Sequence, residues 1–120
     1  MAPIAKTGYG ACSVYAIWNT LTNVLGYVGS TALPKEVRMG MHYHAAFYKR
    51  TSDWHKHMWE TGLEHFEMRI VEGPFECGSQ KELTRREEKH RVLLNPQFNM
   101  RKAWLKDQDT LDRFIVNNRL

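Results

Sequence analysis

From Ser13 to Thr20 the chain alternates: Val14, Ala16 and Trp18 fall on one side and Tyr15 and Ile17 on the other, the two-residue period of a half-buried strand. Leu25 to Gly29 is a second apolar run bounded by glycine, and Thr20 to Asn23 between the runs carry turn chemistry. An antiparallel hairpin is the expected result, and its register decides whether Tyr15 and Tyr27 share a face. An aromatic cross-strand pair by itself only stabilises a hairpin, by roughly 0.2–1 kcal/mol.

Beyond Ser30 the period lengthens to three and four. Pro34 opens a helix expected to run to about Tyr48 with Val37, Met41, Ala45 and Tyr48 turned inward, while Arg38 and His42 stack one turn apart on a neighbouring stripe. Ser52 or Asp53 caps a shorter helix that stops at Gly62, with Trp54 and Met58 on its buried side and Trp59 beside them. Phe66, Met68 and Ile70 then alternate with Glu67, Arg69 and Val71 in a third strand, which Gly73 and Pro74 are expected to break. Ser79 and Glu82 read as a capping box for a helix reaching about Leu94, where Asn95 and Pro96 end it. Asp109 or Thr110 caps a last helix carrying Leu111, Phe114 and Ile115.

This order predicts an α+β fold, a small three-stranded antiparallel sheet flanked by helices. Residues 1–12 read as an N-terminal arm, 13–99 as the folded domain and 100–120 as a C-terminal helical extension packing on the same domain. The chain has 120 residues, about one domain, and no internal repeat. It contains no apolar run of membrane-spanning length and no signal-peptide core, so the expected location is the cytoplasm of a bacterial or phage-infected cell, or its nucleoid. Cys12 and Cys77 lack metal-ligand neighbours in sequence and suit reduced thiols.

The net charge of +4, spread along the chain, favours a polyanionic partner such as DNA. Lys49, Arg50, Lys56, Arg101, Lys102 and Lys106 could line a DNA track, although solubilising charge explains any one of them equally well. His42 with His44, and His55 with His57, lie two apart on helices and face different ways, which argues against zinc; His65 and His90 read as surface groups. Trp54 and Trp104 read as core packing rather than base-stacking platforms. Glu87, inside the charged run from Arg85 to Lys89, would by itself be a solvated helix face.

Taken together and in order, these residues resemble the GIY-YIG nuclease family, from about Ser13 to Asn99. Val14 and Tyr15 stand where the family's first motif ends, with Ser13 in place of its leading glycine; Tyr27, Val28 and Gly29 match the second motif, and Ser30 and Thr31 follow it. Arg38 and His42 match the arginine and the histidine of the first helix. Gly62, Phe66, Val71 and Glu72 are similar to the glycine, phenylalanine and strand ending that follow the second helix. Glu87 falls at the single acidic metal ligand, and Pro96 and Asn99 at the terminal proline and asparagine. The chain departs from the family by one extra residue between the tyrosines and another between Gly29 and Arg38. Trp54 to His57 also stand where the family has leucine and glutamine.

The resemblance implies a metal-dependent DNA endonuclease with Tyr15 as base assisted by His42, and Tyr27 orienting water or donating to the phosphate. Arg38 would clamp the scissile phosphate with a permanently charged fork. Glu87 would hold one Mg2+ or Mn2+, with phosphate oxygens and waters completing the shell, and Gly29 and Asn99 would support the site. A phenol that titrates near 10 must drop about three units to serve at pH 7, about 4 kcal/mol, and the metal, Arg38 and His42 are the expected sources. The same residues leave a second class open: a DNA-structure-binding or partner-binding module with little or no cleavage. The last helix could form a homodimer surface or simply close the core.

Overall fold

The computed structural model describes residues 10–98, so the expected last helix, Asn99, Arg101, Lys102, Trp104 and Lys106 lie outside the described residues. Strands β1 (Cys12–Asn19) and β2 (Val24–Thr31) form the hairpin. Helix α1 (Lys35–His44) follows and runs into a π-helical turn (Ala45–Lys49). Next come α2 (Asp53–Thr61), a 3-10 turn (Leu63–His65), β3 (Phe66–Phe75) and α3 (Gln80–Leu94). The sheet is antiparallel with order β2-β1-β3, as the alternation predicts.

Local chemistry explains the element ends. Asn19 Oδ1 accepts from the backbone N–H groups of Leu21 (3.0 Å) and Thr22 (3.2 Å), fixing the hairpin turn, and Asn23 closes it at φ 60°. Ser52 Oγ accepts from His55 N at 3.1 Å and caps α2, which Gly62 ends at φ 112°. Ser79 Oγ accepts from Glu82 N at 3.2 Å, while Glu82 Oε1 reaches back to Gly78 N at 2.9 Å. The reciprocal cap therefore forms one residue further out than a standard capping box.

Two expectations change. The inward face of α1 is Met39 and His42, continued by Ala46, whereas Val37 (49 % exposed), Met41 (46 %) and Tyr48 (68 %) face outward. The apolar stripe was the wrong one because the helix turns a polar ring, His42, into the core. The third strand also continues through Gly73 and Pro74, with Phe75 paired to Cys12; along it Phe66 and Met68 are buried while Ile70 is 38 % exposed. Because β3 is an edge strand, a missing N–H can point away from the ladder.

The two faces of β1 feed two clusters. Tyr15 and Ile17 pack with Met39, Ala46, Trp54, Met58, Phe66 and Met68 beneath α1 and α2. Val14, Ala16, Leu25 and Val28 pack on the other side, and Leu83 of α3 closes over the buried thiols Cys12 and Cys77. After α3 the chain folds back on β2, where Gln97 N donates to Leu25 O and Phe98 N to Gly26 O, each at 2.9 Å. No helix among the described residues is long and apolar enough to cross a membrane.

Candidate active site

The hairpin register pairs Tyr15 with Gly29 and Ile17 with Tyr27, which sets the two phenols diagonally on one face, ring centroids 6.2 Å apart. Gly29 makes that possible. A Cβ there would sit 2.5 Å from the Tyr15 hydroxyl and 2.9 Å from the Tyr27 ring. Gly26 does the same for the indole of Trp54, 2.6 Å from where its Cβ would be, and Tyr27 stacks on that indole at 5.2 Å. Strand β2 gives up two side chains so that three rings can lie against its backbone.

Helix α1 lowers Arg38 and His42 onto this platform, one turn apart as predicted. Tyr15 Oη lies 2.7 Å from His42 Nε2 and accepts from Arg38 Nε at 3.0 Å. The His42 ring stands edge-on to both phenols, at 5.7 Å from Tyr15 and 5.1 Å from Tyr27. Its Nδ1 faces His55 Nε2 at 3.1 Å and receives Trp54 Nε1 at 3.4 Å, while His55 Nδ1 lies 2.9 Å from Ser52 Oγ. Sequence spacing weighed His55 only against His57 on its own helix and missed this contact between helices. His57 turns instead to Asn19 Nδ2, at 3.3 Å.

Burial governs the protonation states. Burial first, then the neighbouring Tyr27, pushes the Tyr15 phenol far above its ordinary value, and Arg38 works against this and loses. Tyr27 is pushed up to about 12 by burial and then by Glu87, with Arg38, Arg91 and a hydrogen bond from Tyr15 pulling it down. Arg38 and His42 alone therefore do not supply the expected depression of Tyr15, because a wholly buried phenol loses more hydration than one guanidinium returns. Burial, then Arg38 and His55, hold His42 down at about 3, so its ring is neutral at pH 7. Burial, then Arg38, likewise lower His55.

A cleft of about 310 Å³ opens over this cluster, lined by Tyr27, Arg38, Met41, His42, Lys49 and His55 among others. Tyr15 has no exposed surface and lies behind Tyr27. Lys49 is thus at the site, and Lys56 is exposed on α2. Arg50 also holds the local structure. In the left-handed conformation (φ 49°) its Nη1 donates to Ala46 O at 3.2 Å and Phe47 O at 2.6 Å, and its guanidinium covers Trp59 at 4.8 Å.

On α3, Glu87 is buried rather than solvated and accepts from Ser30 Oγ at 2.6 Å; its charge acts on Tyr15, Tyr27 and Arg38. Next to it lies a pair that sequence reading did not single out. Arg91 donates to both oxygens of Glu88, at 2.8 Å from Nε and 2.5 Å from Nη2, with both side chains buried. Among the described residues no three His, Cys, Asp or Glu side chains converge on a metal-sized site. A single hard carboxylate beside two phenols fits an oxygen-seeking divalent cation only if phosphate oxygens and water supply most of the shell.

No family model matches the chain, and comparison with curated proteins and with solved structures also yields no match.

Proposed function

We propose that the chain is a divalent-metal-dependent DNA endonuclease of the GIY-YIG kind, hydrolysing phosphodiester bonds. The observation that carries this reading is the meeting of Tyr15, Tyr27, Arg38 and His42, from two strands and a helix, at one cleft whose neighbouring carboxylate is Glu87. Placing a permanent cation, two phenols and a neutral imidazole within hydrogen-bonding reach suits phosphoryl chemistry, in which positioning and charge stabilisation do most of the work.

In this reading Arg38 uses Nε to hold Tyr15 and turns the rest of its fork to the scissile phosphate. Lys49, on the cleft wall, meets the backbone of the strand. The phenol pair and His42 take the proton of the attacking water, and Trp54 and Phe98 keep bulk solvent away from the rings behind them. Mg2+ or Mn2+, when bound through Glu87, acts as a Lewis acid on the phosphate. Each site serves one strand, so a double-strand break takes two copies or two events.

A second reading, a module that binds DNA structures or a protein partner without cutting, draws on one specific observation: Tyr15 and Glu87 are both buried. A time course on supercoiled plasmid separates the two. With Mg2+ or Mn2+ and not with chelator, the wild type is expected to give nicked circles, while Tyr15→Phe and Glu87→Gln, which can keep the Ser30 bond, bind DNA normally and do not cut. Tight, salt-sensitive binding with no cleavage by the wild type under either metal would replace the enzyme with the binding module.

A further inference from the structure

We propose that Tyr15, His42, His55 and Ser52 form one hydrogen-bonded wire that carries the proton of the attacking water away from Tyr27, at the cleft, to the N-terminus of α2. The wire rests on the phosphodiesterase reading above and extends that site by two residues, His55 and Ser52, that the family resemblance does not supply.

Placement sets the order. Of the two phenols only Tyr27 lines the cleft, so water reaches it before Tyr15, which sits wholly buried behind it with ring centroids 6.2 Å apart. From Tyr15 the contacts continue without a break, at 2.7 Å to His42 Nε2, 3.1 Å from His42 Nδ1 to His55 Nε2, and 2.9 Å from His55 Nδ1 to Ser52 Oγ. Ser52 is half-exposed, so the far end meets solvent. Each inner member offers one donor and one acceptor, which is what a relay through neutral groups demands.

The step balances. Water oxygen bonds to phosphorus and its proton passes to Tyr27 Oη, whose own proton moves to Tyr15 Oη. The Tyr15 proton goes to His42 Nε2, the His42 Nδ1 proton to His55 Nε2, the His55 Nδ1 proton to Ser52 Oγ, and the serine proton to solvent. The bond from phosphorus to the leaving oxygen breaks with its electron pair on that oxygen, which takes a proton from solvent. No histidine becomes charged, which matches rings whose burial resists protonation. Trp54 Nε1, a donor only, lies 3.4 Å from His42 Nδ1 and favours the state in which that nitrogen is bare. That is the state after the relay has fired, with Arg38 Nε and His42 Nε2 both donating to Tyr15; the same shifts in reverse, Ser52 taking a proton from solvent and Tyr27 releasing one to it, reset the wire for the next turnover.

The first arm of the test is single-turnover nicking of supercoiled plasmid by the full chain with Mg2+. His55→Ala should cut at least about ten-fold slower at unchanged DNA affinity, since proton transfer by a positioned side chain is worth about 10²–10⁴-fold. Added imidazole should restore part of that rate, while His55→Gln, which bonds but passes no proton, stays slow. A wild-type rate in His55→Ala, or a slow rate that imidazole does not raise, overturns the wire and leaves the nuclease reading standing. The second arm needs no cleavage: nitrogen-15 NMR of the ring atoms should find His42 and His55 neutral at pH 7 with the proton on the same ring nitrogen in both. Opposite tautomers would set two protons or two lone pairs face to face and overturn the wire. A wild type that cuts nothing overturns the nuclease reading instead, and the tautomers then decide the wire alone.

Discussion

Alanine at Gly29 and alanine at Gly40 should move stability in opposite directions. At Gly29 the new Cβ lies 2.5 Å from Tyr15 Oη, 2.7 Å from Tyr15 Cζ and 2.9 Å from the Tyr27 ring. Carbon contacts are comfortable at about 3.5–4.0 Å, so roughly 1 Å of overlap must be relieved. The Tyr15 hydroxyl cannot swing away freely, because His42 at 2.7 Å and Arg38 at 3.0 Å hold it. Overpacking costs about 1–3 kcal/mol, and two weakened hydrogen bonds add about 1 kcal/mol each. Against this stands a gain of about 0.5–1 kcal/mol from replacing glycine within a strand. The balance is a loss of roughly 2–4 kcal/mol. At Gly40, exposed on α1, the added methyl meets nothing within 4 Å, and only the gain of about 0.5–1 kcal/mol remains. Urea unfolding followed by tryptophan fluorescence reads both. With a slope of about 1–3 kcal/mol per molar, the Gly29→Ala midpoint should fall by about 1 M or more while that of Gly40→Ala rises. Plasmid nicking should collapse in the first protein and survive in the second. Equal midpoints for the two variants, or a Gly29→Ala protein that nicks at the wild-type rate, would refute the close approach of phenol to strand.

Three further outcomes are expected. Arg91→Met leaves Glu88 buried without its bidentate partner and should cost about 3–5 kcal/mol in urea unfolding, most of which the double variant Glu88→Met with Arg91→Met recovers; a mild single variant would mean the pair is not desolvated. For His42 the folded value of about 3 lies below the ordinary 6.5, so at lower pH the unfolded chain binds a proton that the folded chain does not. Its contribution is complete above pH 6.5 and drains away as pH falls toward 3, by up to about 1.4 kcal/mol per unit, so His42→Gln should flatten the stability profile in that window relative to wild type. Asn95 ends α3 at φ 50°, and Asn95→Ala should therefore melt earlier, by about 1 kcal/mol, while Asn95→Gly does not.

The features legible in sequence were those whose cause is local. The caps at Ser52, Gly62 and Ser79, the hairpin turn and the one-turn stacking of Arg38 over His42 each depend on residues within a few positions of one another. The continuation of β3 past Pro74 was not legible, because it depends on β3 being an edge, a property of the sheet and not of the segment. The charged run around Glu87 was misread for a similar reason. Period and polarity describe an exposed helix there, yet Ser30, from β2, answers Glu87, while Arg91, one turn along the same helix, answers Glu88, and together they make burial tolerable.

His42 shows why the inner face of α1 was also misread, and the reason bears on function. Hydropathy ranks a histidine by the cost of drying it, yet that cost falls once both ring nitrogens find partners. Here Nε2 has Tyr15 and Nδ1 has His55 and Trp54, so the ring can take a core position that Val37 or Met41 would be expected to fill. The two residues displaced to the surface still matter, since Met41 becomes a wall of the cleft. Turning the apolar stripe inward would bury more hydrocarbon, but it would leave the buried Tyr15 hydroxyl and the Trp54 N–H without the partner that His42 gives them. A methionine there could neither satisfy those groups nor, as the proposed reading requires, pass a proton, and the variants above separate the two roles.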